Sequence, residues 1–587
     1  MRGRVKDKLW EHLEFLYGKN RVLGIYKRIL RLLERHNKVS EKPKISKVGN
    51  QFDENDVILI TYADIIQNSS QPALESLRKL VDTYLAEQIN TVHILPFFPY
   101  SSDDGFSVID YRKIDPKFGT WEDFRQFAKS RKIMVDAVIN HISRESQWFQ
   151  CFLEGDPKYQ DYFIQPDDSW DLSKVVRPRT SPLLTEVETV NGPVKVWTTF
   201  SADQIDLNFA NPEVLLEIID ILLFYIHQGA TIIRLDAIAY LWKESGTTCI
   251  HLPQTHRVVK LLRIVLESAS PEVVLITETN VPHDENISYF GEFDPDTGFS
   301  DEADMVYQFP LAPLILHTMI SGSTKNLTEW VAGLESKGVF FNFIASHDGI
   351  GVLPAKGILS EEQLQEVINQ VQRNGGLLSH RSNPDGSKTV YELNTTLYDA
   401  LNNPEAPDPP VDMERFLASQ VILISLAGVP GIYYHSLFGS RNAEDNVKKT
   451  GRARSINRKK FSWNELKAIL NKPGNIHTQI FNRFRHLLSI RTRQTAFNPE
   501  GRQKVLRLDD RIFALERYTP DNSSSILTLV NTSPELVELK LEAEQTCLNQ
   551  TQNIVDLISS ERFPLTHQDL TLQLKPYQYF WLKNVAS

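Results

Sequence analysis

The sequence predicts an α/β protein, a parallel (β/α)8 TIM barrel that carries two insertions and is followed by an all-β domain. Short β-branched runs alternate with longer amphipathic stretches from about residue 57 to residue 434, and this alternation is typical of a parallel sheet. Neither GxGxxG nor GxxxxGK[ST] follows any of these runs. A nucleotide-binding doubly wound sheet is therefore disfavoured, and the barrel is preferred.

The strand-like runs are short and apolar. They are Val57–Tyr62, Thr91–Leu95, Ile133–Ile139, Thr231–Leu235, Val273–Thr277, Val339–Ala345 and Ile432–Tyr434. Ser76–Glu87 and Trp121–Ser130 show helical spacing between strands. Arg144–Pro212 is rich in aromatic residues, Pro and Asp without a helical period, which predicts an insertion after the third strand. Gly351–Pro410, with a helix-like run at Glu361–Arg373, predicts a second insertion after the seventh strand.

The two ends of the chain differ in pattern from the barrel. Residues 7–36 have apolar side chains at helical spacing, and the polar stretch Asn37–Asn50 is typical of a linker. After about residue 500 the pattern alternates as in antiparallel strands, at Arg511–Arg517, Ser525–Val530 and Gln578–Leu582. The predicted units are an N-terminal helical extension and linker at 1–55, a barrel at 56–500 with inserted domains at 142–215 and 351–410, and a C-terminal β domain at 501–587.

Composition excludes several classes of protein. The 587 residues include 64 Lys plus Arg and 74 Asp plus Glu, so the net charge is −10, which argues against a nucleic-acid partner. The hydrophobic share of 41% and charged share of 24% are those of a folded globular protein. No apolar stretch is long enough to span a membrane, and the N-terminus lacks the apolar core of a secretory signal. Three scattered cysteines suit a reducing compartment, so we predict a cytoplasmic protein without a membrane partner.

Polar side chains follow the strand-like runs where a parallel barrel places its catalytic groups. Alone, each has an ordinary structural explanation, because an Asp after a strand is commonly a helix cap and a His is commonly structural. Acid–base groups at the ends of four different strands indicate one shared pocket instead. These groups are His141, Arg234, Asp236, Glu278, His347 and Asp348, and Asn140 directly precedes His141.

Several of these segments resemble the signature regions of the alpha-amylase superfamily. They are INH at Ile139–His141, RLDA at Arg234–Ala237, TETN at Thr277–Asn280, ASHDGIGV at Ala345–Val352 and QIDLN at Gln204–Asn208. The resemblance covers nearly everything from about residue 55 to the end. HILPFFPYSSDDGFSVIDY at His93–Tyr111 and GRARSINR at Gly451–Arg458 are similar to the sucrose phosphorylase branch. Within that branch the sequence resembles most the glucosylglycerate and related disaccharide phosphorylases.

The resemblance implies three catalytic carboxylates. Asp236 would be the nucleophile, Glu278 the acid and base, and Asp348 a third carboxylate that binds the sugar's hydroxyls. Retaining pairs of this kind stand about 5–5.5 Å apart, and the chemistry needs a raised pKa at Glu278 with Asp236 ionised. Arg234 would hold Asp236 charged, and we expect Asp136 to orient Arg234.

The resemblance also implies a pocket closed beyond one glucosyl ring. Asp103 and Arg458 would pair and bind the far hydroxyls, although Asp103 as a turn residue and Phe106 as plain core packing remain alternatives. The other side chains assigned to the sugar and its aromatic face are Phe106, Phe200, His141, His347 and Gln204.

Phosphate needs cationic and hydroxyl donors to replace its water. RPRT at Arg177–Thr180 resembles the acceptor loop of the phosphorylases, so Arg179 is the predicted phosphate ligand, with Arg177 assisting. Tyr240 and Tyr391 are the predicted hydroxyl donors. The alternative is that both arginines form solvated surface ion pairs.

The acceptor is less defined by the sequence. NPDGSKTVYELN at Asn383–Asn394 departs from the shorter loop of sucrose-specific members, which disfavours fructose as the leaving group. Arg179, Lys388 and Lys243 suit an acceptor that bears a carboxylate or a phosphate. We predict no metal, including at Asn140, and no cofactor other than inorganic phosphate as co-substrate.

The leading hypothesis is a retaining disaccharide phosphorylase that releases α-glucose 1-phosphate from a small α-glucoside. Glucosylglycerate is preferred to sucrose, sucrose 6′-phosphate and glucosylglycerol. A phosphate-independent α-glucosidase or transglucosidase is the first alternative, and a non-catalytic carbohydrate-binding barrel is the second. The predicted partners are the sugar and phosphate, and the predicted state is a monomer or homodimer.

Overall fold

Eight parallel strands close into a barrel, which confirms the predicted fold class. The computed structural model describes residues 3–37, 51–295, 298–334, 338–383, 387–548, 553–564 and 569–585. Each barrel strand pairs in parallel with the next, and the last pairs with the first, with Ile58 opposite Gly431. The barrel strands are β1 Ile58–Thr61, β2 Thr91–Ile94, β3 Lys132–Ala137, β4 Ile232–Leu235, β5 Val274–Thr277, β6 Met305–Tyr307, β7 Val339–Asn342 and β8 Val429–Tyr433.

One barrel strand was missing from the sequence prediction. β6 has only three residues, all buried, and it follows the acidic segment Asp301–Asp304 without a β-branched run. Periodicity cannot identify a strand this short. The strand exists because its neighbours β5 and β7 supply its hydrogen-bond partners.

The helices fill the connections between strands. Pro212–Gln228, for example, begins after Asn211, whose side chain accepts from the Glu213 amide, and ends at Gly229 with φ 113°. The helices are Gly3–Tyr17, Lys19–Asn37, Ala73–Tyr84, Trp121–Ala128, Gln147–Leu153, Pro212–Gln228, Pro253–Ala269, His283–Ile287, Leu311–Ser321, Lys325–Gly333, Glu361–Arg373, Leu397–Leu401, Pro409–Ser425, Glu444–Thr450, Trp463–Leu470 and Ile476–Arg491.

Both predicted insertions are present in the barrel. The first, after β3, contains the strands His141–Ser143, Leu184–Thr189, Gly192–Trp197 and Gln204–Asp206. The second, after β7, contains the antiparallel strands Ile350–Gly351, Leu377–Ser382 and Lys388–Asn394. The domain boundaries written above stay predictions.

The C-terminal region is all-β, as predicted. Its six-stranded antiparallel sheet has the spatial order Gln503–Leu506, Ile512–Tyr518, Ser525–Asn531, Tyr579–Asn584, Asn553–Asp556 and Arg562–Pro564. Val537–Glu542 pairs with Asp569–Leu574, and Ile66–Gln67 pairs with Phe461–Ser462 near the barrel rim.

Two helices at the N-terminus pack on the outside of the barrel. Gly3–Tyr17 and Lys19–Asn37 contact the barrel helices Pro212–Gln228 and Pro253–Ala269. The Tyr17 hydroxyl donates to the Phe209 carbonyl at 2.9 Å. Residues 38–50 of the predicted linker lie outside the described residues. In the part of the chain that the structure describes, no helix has the length and apolarity needed to cross a membrane.

Candidate active site

A cavity that opens to solvent lies at the carboxyl ends of the barrel strands. Parallel strands deliver the residues that follow them to this end of the barrel. Among the side chains assigned from the sequence to catalysis, sugar binding or phosphate binding, all but Arg177, Arg234 and Arg458 line the cavity, whereas Asn140, Lys243 and Lys388 do not. Those that do are Asp103, Phe106, His141, Arg179, Phe200, Gln204, Asp236, Tyr240, Glu278, His347, Asp348 and Tyr391.

Arg234 lies beneath the cavity floor and organises the carboxylates. Its guanidinium donates to Asp236 Oδ1 at 2.7 Å, to Asp136 and, through Nε, to the Tyr307 hydroxyl at 2.8 Å. Nη2 lies 3.7 Å from Glu278 Oε2. Arg234 is 1% exposed, so its charge is buried together with the carboxylates that neutralise it. The expected Asp136–Arg234 contact is therefore present in the structure.

Glu278 is held by the backbone next to Asp236. The amide of Ala237 donates to Glu278 Oε2 at 3.0 Å, and Ala237 has the left-handed φ of 48° that non-glycine residues seldom adopt. Burial raises the pKa of Glu278 to about 7; Arg234 opposes this shift, and the charges of Asp236 and Asp348 add to it. A carboxyl group with this pKa can donate a proton near neutral pH.

Asp236 is also buried, and burial raises its pKa. Arg234 acts in the opposite direction, and the charge of Asp136 adds to the rise. The hydrogen bond from Arg234 favours the ionised form that a nucleophile requires. Asp236 and Glu278 therefore lie next to each other around one guanidinium. In such a pair, the environment can keep one carboxyl group protonated as the acid and the other ionised as the nucleophile.

Asp348 is paired with an arginine that the sequence analysis did not assign. Arg454 Nη1 lies 2.6 Å from Asp348 Oδ1, and the same guanidinium donates to Glu392 at 2.6 and 3.1 Å. Burial alone would raise the pKa of Asp348, but Arg454, together with smaller contributions from His347, Arg458 and Arg234, holds this pKa well below its ordinary value. Arg454 and Glu392 both line the cavity. The signal was available, because Arg454 belongs to the GRARSINR segment and Glu392 follows Tyr391.

The predicted pairing of Arg458 with Asp103 is present as a long contact, and a second aspartate, Asp104, lies closer to the same guanidinium. Arg458 donates to Asp104 Oδ2 at 2.6 Å and to the His347 carbonyl at 2.8 Å, whereas Asp103 Oδ1 is 3.9 Å away. Both aspartates have φ 51° in one tight turn, and both carboxylates lie within 4 Å of the same guanidinium nitrogen. Asp103 faces the cavity and Arg458 lies outside its lining.

Aromatic and imidazole rings form one wall of the cavity. Phe106 stacks on His347 with ring centroids 4.9 Å apart, and burial lowers the pKa of His347 to about 3, so this imidazole is neutral. His141 Nε2 lies 2.8 Å from the Phe106 carbonyl and 3.1 Å from Gln204 Nε2. The ring of Phe200 is 5.3 Å from that of His141. These contacts fix the orientation of the rings in this wall.

Arg179 lies at the mouth of the cavity between two rings. Its guanidinium is 5.7 Å from the Phe200 centroid and 5.4 Å from the Tyr391 centroid. Within the described ranges, no carboxylate lies within 4 Å of Arg179, so its charge is free to meet an anion. Tyr240 packs edge-on against Phe200. Arg177, on the same loop, does not line the cavity.

Lys243 is not on the acceptor side. Its ammonium contacts Asp206 Oδ2 at 2.5 Å and Asn140 Oδ1 at 2.9 Å, and its side chain is 1% exposed. It is buried because it neutralises Asp206, which also accepts from Thr199. In the described part of the chain no three His, Cys, Asp or Glu side chains form a group able to hold a metal.

Comparisons with known proteins identify the family of the chain. The model of the alpha amylase catalytic domain matches residues 79–356, and that of the maltogenic amylase C-terminal domain matches residues 503–581. A glucosylglycerate phosphorylase of Spirochaeta thermophila is 47% identical over 90% of this chain and 89% of its own. One of Escherichia coli is 38% identical over 99% of this chain and 100% of its own.

A solved structure has the same architecture. The sucrose 6F-phosphate phosphorylase of Thermoanaerobacter thermosaccharolyticum superposes with a TM-score of 0.71 at 27% identity, over 82% of this chain and 94% of that one. Since the relatives are aligned along nearly their full length, the similarity is not confined to the barrel. The chain therefore belongs to the alpha-amylase superfamily and, within it, to the family of the glucosylglycerate phosphorylases.

Proposed function

We propose that this chain is a retaining glucosylglycerate phosphorylase, which transfers the glucosyl group of glucosylglycerate to inorganic phosphate and releases α-glucose 1-phosphate and glycerate. The glucosyl phosphorylase activity is supported by relatives of that name at 38–47% identity. The observation on which the proposal depends most is an unpaired guanidinium, Arg179, at the mouth of a cavity whose floor holds Asp236 and Glu278.

The first half of the reaction forms a covalent intermediate. An ionised Asp236 oxygen attacks the anomeric carbon, the bond from that carbon to the glyceryl oxygen breaks, and Glu278 gives its proton to that oxygen. Glycerate leaves, and a β-glucosyl ester on Asp236 remains. Arg234 orients Asp236 and Ala237 holds Glu278 during this step.

The second half releases the product. A phosphate oxygen attacks the same carbon from the opposite side, the ester bond to Asp236 breaks, and a phosphate proton passes to Glu278. Two inversions give the α anomer. Asp348, fixed by Arg454, and Asp103 would bind the hydroxyls of the ring in both halves.

Both natural acceptors of the proposed reaction, glycerate and phosphate, are anions. One acceptor subsite must take them in turn, and Arg179 offers a charge not neutralised by a neighbour, flanked by the hydroxyl-bearing Tyr240 and Tyr391. Charge-assisted hydrogen bonds are the strong kind that such ligands need. The free thiols Cys151, Cys249 and Cys547 support the proposal of a cytoplasmic location.

Replacing Arg179 tests the use of phosphate directly. In Arg179→Gln, kcat/KM for phosphate should fall by about 10- to 100-fold, because a hydrogen bond to a charged group contributes roughly 1.5–3 kcal/mol. α-Glucosyl fluoride is the donor of choice, since fluoride makes no demand on the acceptor subsite. Its own kcat/KM should stay within about twofold of the wild type.

The matched control for this experiment is Arg177→Gln, on the same loop but outside the cavity lining, which should leave phosphate use unchanged. Equal kcat/KM for phosphate in Arg179→Gln and the wild type would support the surface-charge alternative. A wild type that hydrolyses glucosyl fluoride at a rate independent of phosphate would support the hydrolase.

The pH profile should report the two carboxyl groups. Because Glu278 must be protonated and has a pKa of about 7, kcat/KM for glucosylglycerate should fall as pH rises through about 7. Glucosyl fluoride should lack this basic limb, because fluoride leaves without a proton. An acidic limb from Asp236 should appear with both donors, and the two limbs belong to the coupled pair. A basic limb of the same size with fluoride would contradict the assignment of Glu278.

A further inference from the structure

Asp203, in the first insertion, accepts an unusual number of hydrogen bonds from one loop. Its Oδ2 accepts from Ser101 Oγ at 2.6 Å, from Ser107 Oγ at 2.7 Å and from Ser102 Oγ. The Asp203 carbonyl accepts from the Arg144 amide at 2.8 Å. Three hydroxyl groups therefore converge on a single carboxylate oxygen, and these bonds, opposing burial, hold the pKa of Asp203 below its ordinary value.

The backbone between these serines has a strained conformation, which the surrounding contacts must hold in place. Asp103 and Asp104 both take the left-handed φ of 51°, and Gly105 has φ 115°. Non-glycine residues avoid this region, and two in succession persist only where the surroundings hold them. A Cβ at Gly105 would lie 2.5 Å from the Pro96 carbonyl oxygen, so the turn also passes close to the end of β2. The three serine contacts enclose this strained turn on both sides.

The same turn presents two side chains to the active-site cavity. Asp103 and Phe106 both line it, and Phe106 stacks on His347. From the other direction, Gln204, directly after Asp203, donates to the Phe106 carbonyl at 3.0 Å. Asp203 therefore joins the sugar-facing turn to the insertion segment that carries Phe200 and Gln204.

We infer that Asp203 is a positioning residue, which fixes the turn at 101–107 so that Asp103 and Phe106 face the glucosyl ring. It does not line the cavity, so it acts through the turn and not on the sugar. The inference rests on the proposed function for the identity of the substrate. The geometry of the turn is independent of that function and can be measured separately.

The carboxylate is better suited to this task than a neutral side chain. One oxygen of an ionised Asp has lone pairs for several donors, and bonds to a charged acceptor are shorter and stronger than neutral ones. Ser107 is fully buried. Without the carboxylate, its hydroxyl keeps only the longer contacts with the Asp203 carbonyl at 3.2 Å and with the Ser101 hydroxyl at 3.1 Å. Loss of the charge therefore weakens the buried hydrogen bonds that hold the turn.

The test compares Asp203→Ala, Asp203→Asn and a matched control. The control is Asp167→Ala in the same insertion, because Asp167 also accepts from a serine, at Ser169 Oγ, but is exposed and outside the cavity. In Asp203→Ala, kcat/KM for glucosylglycerate should fall by about 10- to 100-fold, the size of loss that follows a small displacement of binding groups. Asp203→Asn should recover part of the loss, and Asp167→Ala should match the wild type.

Two further measurements separate positioning from a general loss of structure. Amide hydrogen exchange of residues 100–108 should become faster in Asp203→Ala and stay unchanged in Asp167→Ala. In a double-mutant cycle, Asp103→Asn combined with Asp203→Ala should lose less than the product of the two separate losses, since part of the loss in Asp203→Ala is the displacement of Asp103. If Asp203→Ala does not fold, Ser102→Ala should show smaller changes in the same direction.

An Asp203→Ala variant with wild-type kcat/KM and unchanged exchange at residues 100–108 would overturn the inference. Fully multiplicative losses in the double mutant would do so as well. A wild type without phosphorolysis, but with faster exchange in Asp203→Ala, would refute the proposed function and leave the support of the turn by Asp203 in place.

Discussion

Asp236→Asn is expected to reduce kcat with glucosylglycerate by roughly 10⁴-fold or more, the scale of loss on removal of a covalent nucleophile. The amide cannot form the glucosyl ester, while the buried guanidinium of Arg234 keeps its contacts with Asp136 and Tyr307. The variant should therefore fold. Steady-state rates with glucosylglycerate and with glucosyl fluoride measure the loss, and both donors should be affected equally because both need the nucleophile.

Asp220→Asn is the matched control for this variant. Asp220 lies on the barrel helix Pro212–Gln228 and is also paired with an arginine, Arg112, at 2.8 Å, but it is outside the cavity lining. It should retain the wild-type rate. A residual rate above about 1% in Asp236→Asn, with the side chain confirmed by mass spectrometry, would contradict the role of Asp236 as the nucleophile.

Glu278→Ala is expected to separate the two donors. With glucosylglycerate, kcat/KM should fall by about 10²- to 10⁴-fold, because the glyceryl oxygen then leaves without a proton. With glucosyl fluoride it should fall far less, since fluoride leaves unprotonated. Phosphate is already an anion and needs no base, so its attack on the glucosyl ester should persist. Added azide, which is also an anion, should attack in the same way and yield α-glucosyl azide.

Glu278→Gln is the control of matched size for Glu278→Ala, because it retains the contact with the Ala237 amide but carries no proton to donate. It should show the same preference for the fluoride donor. Equal losses with glucosylglycerate and glucosyl fluoride would show that Glu278 has a structural role and not the role of acid.

Much of the barrel and of its catalytic floor could be predicted from the sequence because strand ends are marked locally. Asp236 and Glu278 follow buried β-branched runs, and the parallel arrangement then places both at one end of the barrel. β6 could not be predicted in this way, because a three-residue strand has no periodicity of its own. Its formation depends on neighbours that are distant in sequence.

Arginine assignments were the weaker part of the sequence analysis, and the reason is geometric. GRARSINR contains both Arg454 and Arg458 within one irregular turn, and sequence spacing does not show which guanidinium points into the cavity. In the same way, sequence spacing does not show that Asp104, which shares a left-handed turn with Asp103, lies closer to Arg458 than Asp103 does. Lys243 illustrates a third limit, since its buried partners Asn140 and Asp206 come from segments distant in the chain.

The most direct test of the account is the release of glucose 1-phosphate by the wild-type enzyme from four α-glucosides, with and without inorganic phosphate. The panel holds glucosylglycerate, sucrose, sucrose 6′-phosphate and glucosylglycerol, and ¹H NMR identifies the anomer at early times. The account predicts α-glucose 1-phosphate from glucosylglycerate, in preference to the other three, and only when phosphate is present. Free glucose released at the same rate without phosphate, or the β anomer as the first product, would contradict it.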